Sequence, residues 1–466
     1  MQNKLQKQGE KISFRISKWF LDFPARISII AFMLLIAAGT LLLMLPLSAA
    51  GSRMTFTDAL FTATSATCVT GLAVADTGTF FSPFGQAVIL LLIQSGGLGI
   101  MTISTLVLMI AGKRPGFTGR ILIRDTFTHR KELRPAEIIR NVILFALLLE
   151  LFGALILFFC FLPEKGPSLS LYYSLFHSVS AFCNAGFSLF SDSLMQYREN
   201  WTVNLTVSFL IITGGIGFLV IAEIRNAFPF HRSSWRRLSL HSKLVLSSTF
   251  ILLSISTLLF LFMEWGNTLA PLSFPGRFLA SFFQAVSTRT AGFNTLPFDA
   301  LANETLFFII LLMFIGACPG SCAGGVKTTT FSTLLLLGIS RMRGYDYPRI
   351  FCRTIPTSSV SKAVNTVMLS MFFITLGLML MMMTELGDIS HQASRGKFLE
   401  YFFETVSAFG TVGLSAGVTG ELSVYGKLII TALMFVGRLG PLVIGIAISR
   451  RQNNLYYYAE EDIMIG

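Results

Sequence analysis

Charge is scarce in this sequence. Asp, Glu, Lys and Arg make up 13% of its 466 residues against 53% hydrophobic, a balance too apolar for an ordinary soluble protein in a chain too long for one small bundle. Histidine is scarcer still. The five (His129, His177, His231, His241, His391) are dispersed, so no nucleophile with a base and no run of metal ligands is spelled out, and the sequence is not read as a membrane-embedded enzyme. The six cysteines (Cys68, Cys160, Cys183, Cys318, Cys322, Cys352) are scattered rather than spaced as an extracellular framework, which excludes a disulfide scaffold. A nucleotide-binding domain is also missing. The run from Gly320 to Lys327 looks superficially like a phosphate loop, but it has one residue too many between its last Gly and its Lys, and no strand precedes it. The net charge of +12 does not mark a nucleic-acid binder, because the basic residues lie between long apolar runs. That is the pattern of cytoplasmic loops facing anionic lipid.

What the sequence does have is a string written four times. Residues 61–72, 176–187, 283–293 and 403–414 each read as a Phe, three residues, a Ser (Ser65, Ser180, Ser287, Ser407), a few small or polar residues, and a Gly followed by Leu or Phe. The glycines are Gly71, Gly186, Gly292 and Gly413, and the third copy is one residue shorter between Ser and Gly. Such self-similarity implies one structural unit built four times.

Apolar runs frame each copy. Before it lie residues 25–47, 139–162, 244–263 and 360–383; after it lie 84–110, 203–223, 306–338 and 425–448. Each is long and apolar enough to supply the ~20 residues that cross a bilayer. The basic amphipathic head followed by the first run and Ser48-Ala49-Ala50 could pass for a signal peptide, but the run is longer than a signal core and the later units repeat it. The expected fold is an all-α integral membrane protein: four tandem units of helix, re-entrant pore segment and helix, eight spans around a central pseudo-fourfold pore. The boundaries read as a cytoplasmic basic N-terminus 1–24, units at 25–112, 139–224, 241–340 and 359–449, and a cytoplasmic tail 450–466. The basic stretches 113–140, 225–243, 341–362 and Arg450-Arg451 all fall on the N-terminal side of this scheme, which places both termini in the cytoplasm.

A stretch such as Thr67-Cys68-Val69-Thr70-Gly71 is too polar and short to span as a helix. Non-helical backbone at membrane depth must be buried in protein or line water. An extended turn whose carbonyls coordinate a cation meets that condition, glycine permits the backbone geometry, and a preceding half-helix aims its negative dipole end at the cavity. Four turns around one axis make a carbonyl cage for a dehydrated monovalent ion. Small-residue helix packing is the alternative for any single copy, but it does not account for four in the same place. Gly96-Gly97-Leu98-Gly99, Gly214-Gly215-Ile216-Gly217 and Gly437-Arg438-Leu439-Gly440 recur in the later runs, as thin helices beside the turns would require.

The four motifs, each preceded by a half-helix and followed by a glycine-rich span, resemble the Trk/Ktr/HKT superfamily of potassium transporters over about residues 25 to 450. The chain lacks the extra N-terminal spans of the Trk branch and is most similar to the membrane subunit of the bacterial Ktr branch. The resemblance implies bound potassium at Val69, Thr70, Asn184, Ala185, Thr290, Ala291, Thr411 and Val412. Thr67, Cys68, Cys183 and the four glycines complete the filter. Gly71, where some sodium-preferring plant relatives have serine, implies potassium. It further implies potassium uptake across the bacterial cytoplasmic membrane and no cofactor in this chain. A homodimer with a cytosolic nucleotide-binding ring of the KtrA type is the implied assembly, among membrane lipids and without nucleic acid. Whether sodium activates, couples or is itself preferred stays open at this point.

The third later run departs from its fellows, reading Gly316-Ala317-Cys318-Pro319-Gly320-Ser321-Cys322-Ala323-Gly324-Gly325-Val326-Lys327. Proline removes a donor and the glycines weaken helix, so the expectation is a break at membrane depth, with a proline kink as the plainer alternative. The resemblance makes this loop a gate beneath the filter, with Arg438 as an arginine that restricts permeation; a structural ion pair is the alternative for Arg438. Cys318 and Cys322, without His or carboxylate neighbours in sequence, make a weak metal or redox pair. Glu150 belongs either to a proton or sodium path or to a hydrogen bond with a neighbouring helix. Arg289 and Glu404 are expected to brace the half-helices, and His177 to be a hydrogen-bond partner.

Overall fold

The computed structural model describes residues 24–99, 135–227, 232–387, 389–390 and 392–441. The basic N-terminal head, most of the 113–140 stretch, His129, His231, His391, the far parts of the first and fourth later runs and the C-terminal tail lie outside the described residues. Helices dominate the rest. In chain order they are α1 Pro24–Leu43, α2 Phe56–Thr67, α3 Pro83–Gly97, α4 Pro135–Phe182, α5 Trp201–Ile216, α6 Phe218–Asn226, α7 Arg232–Arg237, α8 Leu240–Met263, α9 Phe274–Ser287, α10 Asn303–Phe314, α11 Thr328–Met342, α12 Thr357–Glu385, α13 Lys397–Gly410 and α14 Val424–Leu439. A two-residue hairpin, β1 Arg349–Ile350 with β2 Arg353–Thr354, joins α11 to α12.

Among the described residues, three helices are long and apolar enough to cross a membrane: residues 140–182 of α4, then α8 and α12. Only 33%, 39% and 22% of their most apolar windows are buried, and Phe159, Phe250, Phe262, Met368 and Met383 stand exposed. Side chains of this kind need an apolar solvent, so these helices form the outer layer. The inner layer is made of the four short helices ending at the repeated string: α2, the last part of α4, α9 and α13. In unit 2, outer and inner helix run together as α4 and are separated by Gly166, at φ 70° and ψ 170°, just past the predicted apolar run 139–162. The repeated Phe residues anchor the inner helices, since Phe61, Phe176, Phe283 and Phe403 are each no more than 1% exposed.

The third helix of each unit packs against the next unit: α3 on α4, α5 on α9, α10 on α13, and α14 back on α2. Polar bonds mark these joints. Tyr172 donates to Gln86 Oε1 at 2.7 Å, the Ser273 N–H and hydroxyl lie 3.4 Å from Glu199 Oε1, and Lys427 meets Asp58 at 2.7 Å. Within units 2, 3 and 4 a glutamate at the end of the long apolar run ties it to the later part of its own unit. Tyr197 donates to Glu164 at 2.7 Å, the Ala302 N–H to Glu264 at 3.0 Å and the Ser423 N–H to Glu385 at 3.1 Å. Side-chain caps start the third helices where they are available. Ser82, Asn200 and Ser423 accept from the N–H groups of Gly85, Val203 and Gly426, as the unsatisfied first turn requires. The third unit has no side-chain cap there, and Glu264 binds the Ala302 N–H instead.

The third helices are shorter than the runs predicted as whole spans, because glycine interrupts them. Run 203–223 breaks at Gly217 (φ 97°) between α5 and α6. Gly99 (φ 82°) and Gly440 (φ 84°) occupy the same motif position after α3 and α14. A left-handed residue cannot continue a right-handed helix.

Candidate filter and intramembrane loop

The four strings fold alike. One residue in each takes a left-handed conformation despite its side chain: Val69 (φ 56°), Asn184 (φ 60°), Thr290 (φ 70°) and Thr411 (φ 50°). Two residues on, the glycine follows at φ 98°, 70°, 80° and 89° for Gly71, Gly186, Gly292 and Gly413. Such backbone is unfavourable for non-glycine residues, and four occurrences at one register amount to a built feature.

The repeated Ser holds each turn. Its carbonyl accepts the N–H of the residue before the glycine, from Thr70 at 2.8 Å, Ala185 at 2.7 Å, Ala291 at 2.9 Å and Val412 at 2.8 Å. Its hydroxyl accepts from the Gly71 N–H at 3.1 Å and the Gly413 N–H at 3.2 Å, or donates to the carbonyls of Phe187 and Phe293. The residue missing from the third copy is absorbed in the helix: α9 ends on Ser287 itself, whereas the other inner helices run two or three residues past their Ser. Turn geometry is kept.

The turns close on one another. A Cβ on Gly71 would collide with the Ala185 carbonyl, on Gly186 with Ala291, on Gly292 with Val412, and on Gly413 with the Thr70 carbonyl. Each glycine therefore faces the carbonyl of the residue before the next glycine, and the fourth faces the first. On one side the ring opens into a cavity of about 310 Å³ lined by all four glycines and by Asp76, Ser188, Asn294 and Thr419. Val69, Thr70, Asn184, Ala185, Thr290, Ala291, Thr411 and Val412 are all buried. The hydroxyls of Thr67, Thr70, Thr290 and Thr411 have no hydrogen-bond partner among the described residues. Asn184, with its amide oriented to satisfy both ends, donates to the Ile211 carbonyl at 3.2 Å, so its side chain serves the packing. The recurring glycines of the third helices explain themselves here: Cβ atoms on Gly96, Gly214 and Gly437 would strike the carbonyls of Thr67, Phe182 and Phe409, each four residues before the glycine of its turn.

The third unit's later run is broken outright. No helix covers residues 315–327 between α10 and α11, and Ile315 instead pairs with Val326 as a bridge. The loop is held by specific bonds. Cys318 and Cys322 donate their N–H groups to the carbonyls of Gly215 (3.0 Å) and Gly214 (3.2 Å), and Phe218 donates to the Gly320 carbonyl (3.2 Å). Lys327 Nζ turns back onto the Ala323 carbonyl at 2.7 Å, and Thr328 Oγ1 onto Gly316 at 2.7 Å. Gly324 lies against the Thr411 side chain and Gly325 against the Gly410 carbonyl, so the loop touches the fourth turn. Arg438 clamps it, donating from Nη1 to the Cys322 carbonyl and from Nη2 to the Gly96 carbonyl. Among the described residues, backbone carbonyls and not a carboxylate are therefore its hydrogen-bonding partners.

The remaining charged residues sort by contact. Glu150 accepts from Gln94 Nε2 at 3.1 Å on both oxygens, the bond to a neighbouring helix. Arg289 reaches Thr328 Oγ1 at 3.5 Å, where the broken span resumes, and Glu404 accepts from Thr419. His177 bonds the Tyr173 carbonyl at 2.8 Å and Ser188 at 3.0 Å. Cys318 and Cys322 are both free thiols. Sequence reasoning missed the ties made by Glu164, Glu264 and Glu385. The available signal was a glutamate beyond the long apolar run of three consecutive units.

Comparison with known proteins adds the family. A model of the TrkH family, described as cation transport protein, matches residues 1–456. The chain is 42% identical to Ktr system potassium uptake protein B of Bacillus subtilis, covering 97% of this chain and 99% of that one. It is 38% identical to potassium/sodium uptake protein NtpJ of Enterococcus hirae, covering 95% and 97%. Among solved structures it resembles the potassium transporter TrkH from Vibrio parahaemolyticus with a TM-score of 0.70 at 19% identity, over 90% of this chain and 83% of that one. Matched along nearly its whole length by family model and relatives alike, this chain belongs to the TrkH family of cation transport proteins.

Proposed function

We propose that this chain is the ion-translocating subunit of a Ktr-like potassium uptake system in the bacterial cytoplasmic membrane. Its four turns form one selectivity filter, with potassium held by the carbonyls of Val69, Thr70, Asn184, Ala185, Thr290, Ala291, Thr411 and Val412. The observation that carries this reading is the closed ring, in which every filter glycine faces the carbonyl preceding the next. A ring of fixed carbonyl dipoles replaces the hydration shell of a monovalent cation, and the inner helices aim their negative ends at it. The unpartnered hydroxyls of Thr70, Thr290 and Thr411 suit the same environment, since buried polar groups ordinarily have partners.

Residues 316–327 with Arg438 are the gate in this proposal. The loop lies against the fourth turn, and the Arg438 clamp sets a positive charge beside the exit. Eight spans with both termini in the cytoplasm, a homodimer, and a KtrA-type nucleotide-binding ring complete it, in line with the Bacillus relative being named as part of a Ktr system. A second reading, sodium-coupled or sodium-preferring transport on the same fold, draws on the relative named potassium/sodium uptake protein. Rubidium uptake in potassium-transport-deficient cells, with and without sodium, separates the two. Gly71→Asp abolishes uptake if the ring is the filter; normal growth rescue by that variant sinks the assignment.

A further inference from the structure

We propose that the hairpin joining α11 to α12, with Trp235 of α7 beside it, binds the phosphate headgroups of anionic phospholipid on the side of the membrane where α8 and α12 begin. Both of those helices are long and apolar enough to cross. α7 leads directly into α8 and the hairpin directly into α12, so the two connections lie at the edge of the apolar layer. They meet there: the Trp235 and Phe351 rings pack edge to face, with centroids 6.3 Å apart. The hairpin is held in an unfavourable shape. Its two turn residues, Phe351 (φ 50°) and Cys352 (φ 58°), are both left-handed, a conformation that ordinarily selects Asn-Gly. Both are exposed, and strain kept at an exposed tip points to a partner outside the fold. Arginines surround the tip. Arg341, Arg343, Arg349 and Arg353 are all exposed, and among the described residues only Arg341 of these is paired with a carboxylate, that of Asp346 at 3.2 Å. That pair is open to water, at 62% and 80% exposed, and is therefore weak. Arg349 lies over the Tyr345 ring with its guanidinium 4.8 Å from the centroid, which fixes the plane of its N–H donors.

A guanidinium presents a planar fork of donors that matches a phosphate, an anionic leaflet attracts basic segments close to its surface, and Trp and Tyr collect at headgroup level. Lipid fits this face better than the acidic surface of a protein, because apolar side chains are mixed with the arginines. Met342, between Arg341 and Arg343, is 90% exposed, and Phe351 is 38% exposed. At the edge of the apolar layer such residues reach acyl chains while the arginines reach phosphates. The site also has a lever. Arg341 and Met342 end α11, whose first residue, Thr328, bonds the Gly316 carbonyl at 2.7 Å. A headgroup that fixes the end of α11 therefore steadies the 315–327 loop in its place, and flux should be higher without it; this lever rests on the gate reading, whereas the headgroup site does not.

The experiment titrates the purified full-length protein in detergent with phosphatidylglycerol and counts the retained lipid by native mass spectrometry, with phosphatidylcholine and soluble glycerol phosphate as comparison probes. Wild type is expected to retain phosphatidylglycerol in preference to phosphatidylcholine and not to release it to glycerol phosphate. Arg343→Gln, Arg349→Gln and Arg353→Gln combined should raise the half-saturating phosphatidylglycerol concentration at least ~10-fold. Arg395→Gln, at an exposed arginine beyond the other end of α12, should match wild type. The proposal is overturned if the triple variant retains phosphatidylglycerol as wild type does, which would leave this face to an acidic protein partner, if Arg395→Gln weakens retention as much, or if glycerol phosphate displaces the lipid. Should the triple variant not fold, Arg349→Gln alone, expected to shift in the same direction, decides. Rubidium flux in phosphatidylcholine vesicles with and without phosphatidylglycerol reads the lever: wild-type flux should be at least ~2-fold higher without it, and the triple variant indifferent. Wild-type flux indifferent to phosphatidylglycerol, while removal of residues from 316–327 still raises flux, overturns the lever. Retention is read without flux, so a failure of the gate reading, seen as flux that the same removal leaves unchanged, is distinguishable from a failure of the headgroup site.

Discussion

Units 2 and 3 interrupt their third helices at corresponding places and by opposite means. In unit 2 one residue, Gly217, separates α5 from α6; in unit 3 the whole of 315–327 is irregular. A single left-handed glycine still leaves nearby carbonyls without helical partners, and those of Gly214 and Gly215 receive the N–H groups of Cys322 and Cys318. The small break thus satisfies the backbone of the large one, as buried backbone groups require. A Cβ on Gly217 would press on the Pro319 carbonyl, which shows how little slack lies between them. The loop is therefore not loose chain but a segment templated by its neighbour, held at its other side by Arg438.

The largest effect is expected where all units agree. Gly413→Ala places a Cβ against the Thr70 carbonyl at a residue with φ 89°. Backbone strain of about 1–3 kcal/mol, before any ring distortion, should lower rubidium uptake by roughly 10- to 100-fold or more; uptake within twofold of wild type would show that the ring tolerates opening. Next comes the difference itself. Removing residues from 316–327 should raise flux and weaken regulation, and Gly217→Ala should shift it the same way to a lesser degree by displacing the loop through Pro319. If Gly217→Ala is silent while the deletion is strong, templating by unit 2 is wrong.

A smaller effect concerns Glu264, just past the C-terminal end of α8. Burial pushes its carboxyl up, but hydrogen bonds from Thr268 and the Ala302 N–H more than offset this and hold its pKa below the ordinary glutamate value. A depressed carboxylate contributes stability that is complete above the unfolded pKa of about 4.3 and is lost as pH falls through the folded value. Thermal unfolding in detergent should therefore show an acid-limb loss that Glu264→Gln flattens; an unchanged acid limb would remove Glu264 from the account. Smallest is the joint of units 4 and 1. A double-mutant cycle on Asp58 and Lys427, whose side chains are 23% and 16% exposed, should give about 0.5–1 kcal/mol of coupling, and a value near zero would make that contact incidental.

Much of this was legible in sequence, for identifiable reasons. Phe, Ser and Gly at fixed offsets are local requirements: the Phe anchors, the Ser pins the turn, and the Gly supplies a conformation other residues resist. All three show up as repeated letters. The loop announced itself through Pro319 and its glycines. The left-handed Val69, Asn184, Thr290 and Thr411 were not legible, because their conformation is imposed by closure on neighbouring turns and no residue type marks it. Nor was the partner of Arg438. A side chain that donates to the Cys322 and Gly96 carbonyls bonds backbone, and backbone has no letter. The break at Gly217 was written in the Gly-Gly-Ile-Gly string, yet that string served two purposes, close approach at Gly214 and interruption at Gly217, and only the first follows from size alone.

The closed ring has a consequence for how the molecule is made. Three of its joints link units that follow one another along the chain, while the fourth, Gly413 against Thr70 with Lys427 on Asp58, brings the last unit back to the first across most of the polypeptide. The closed ring therefore does not exist until the fourth unit has been made. On the proposed filter reading, a nascent chain carrying one, two or three units holds only open arcs, and a cage able to strip and select an ion is completed when the fourth unit closes on the first.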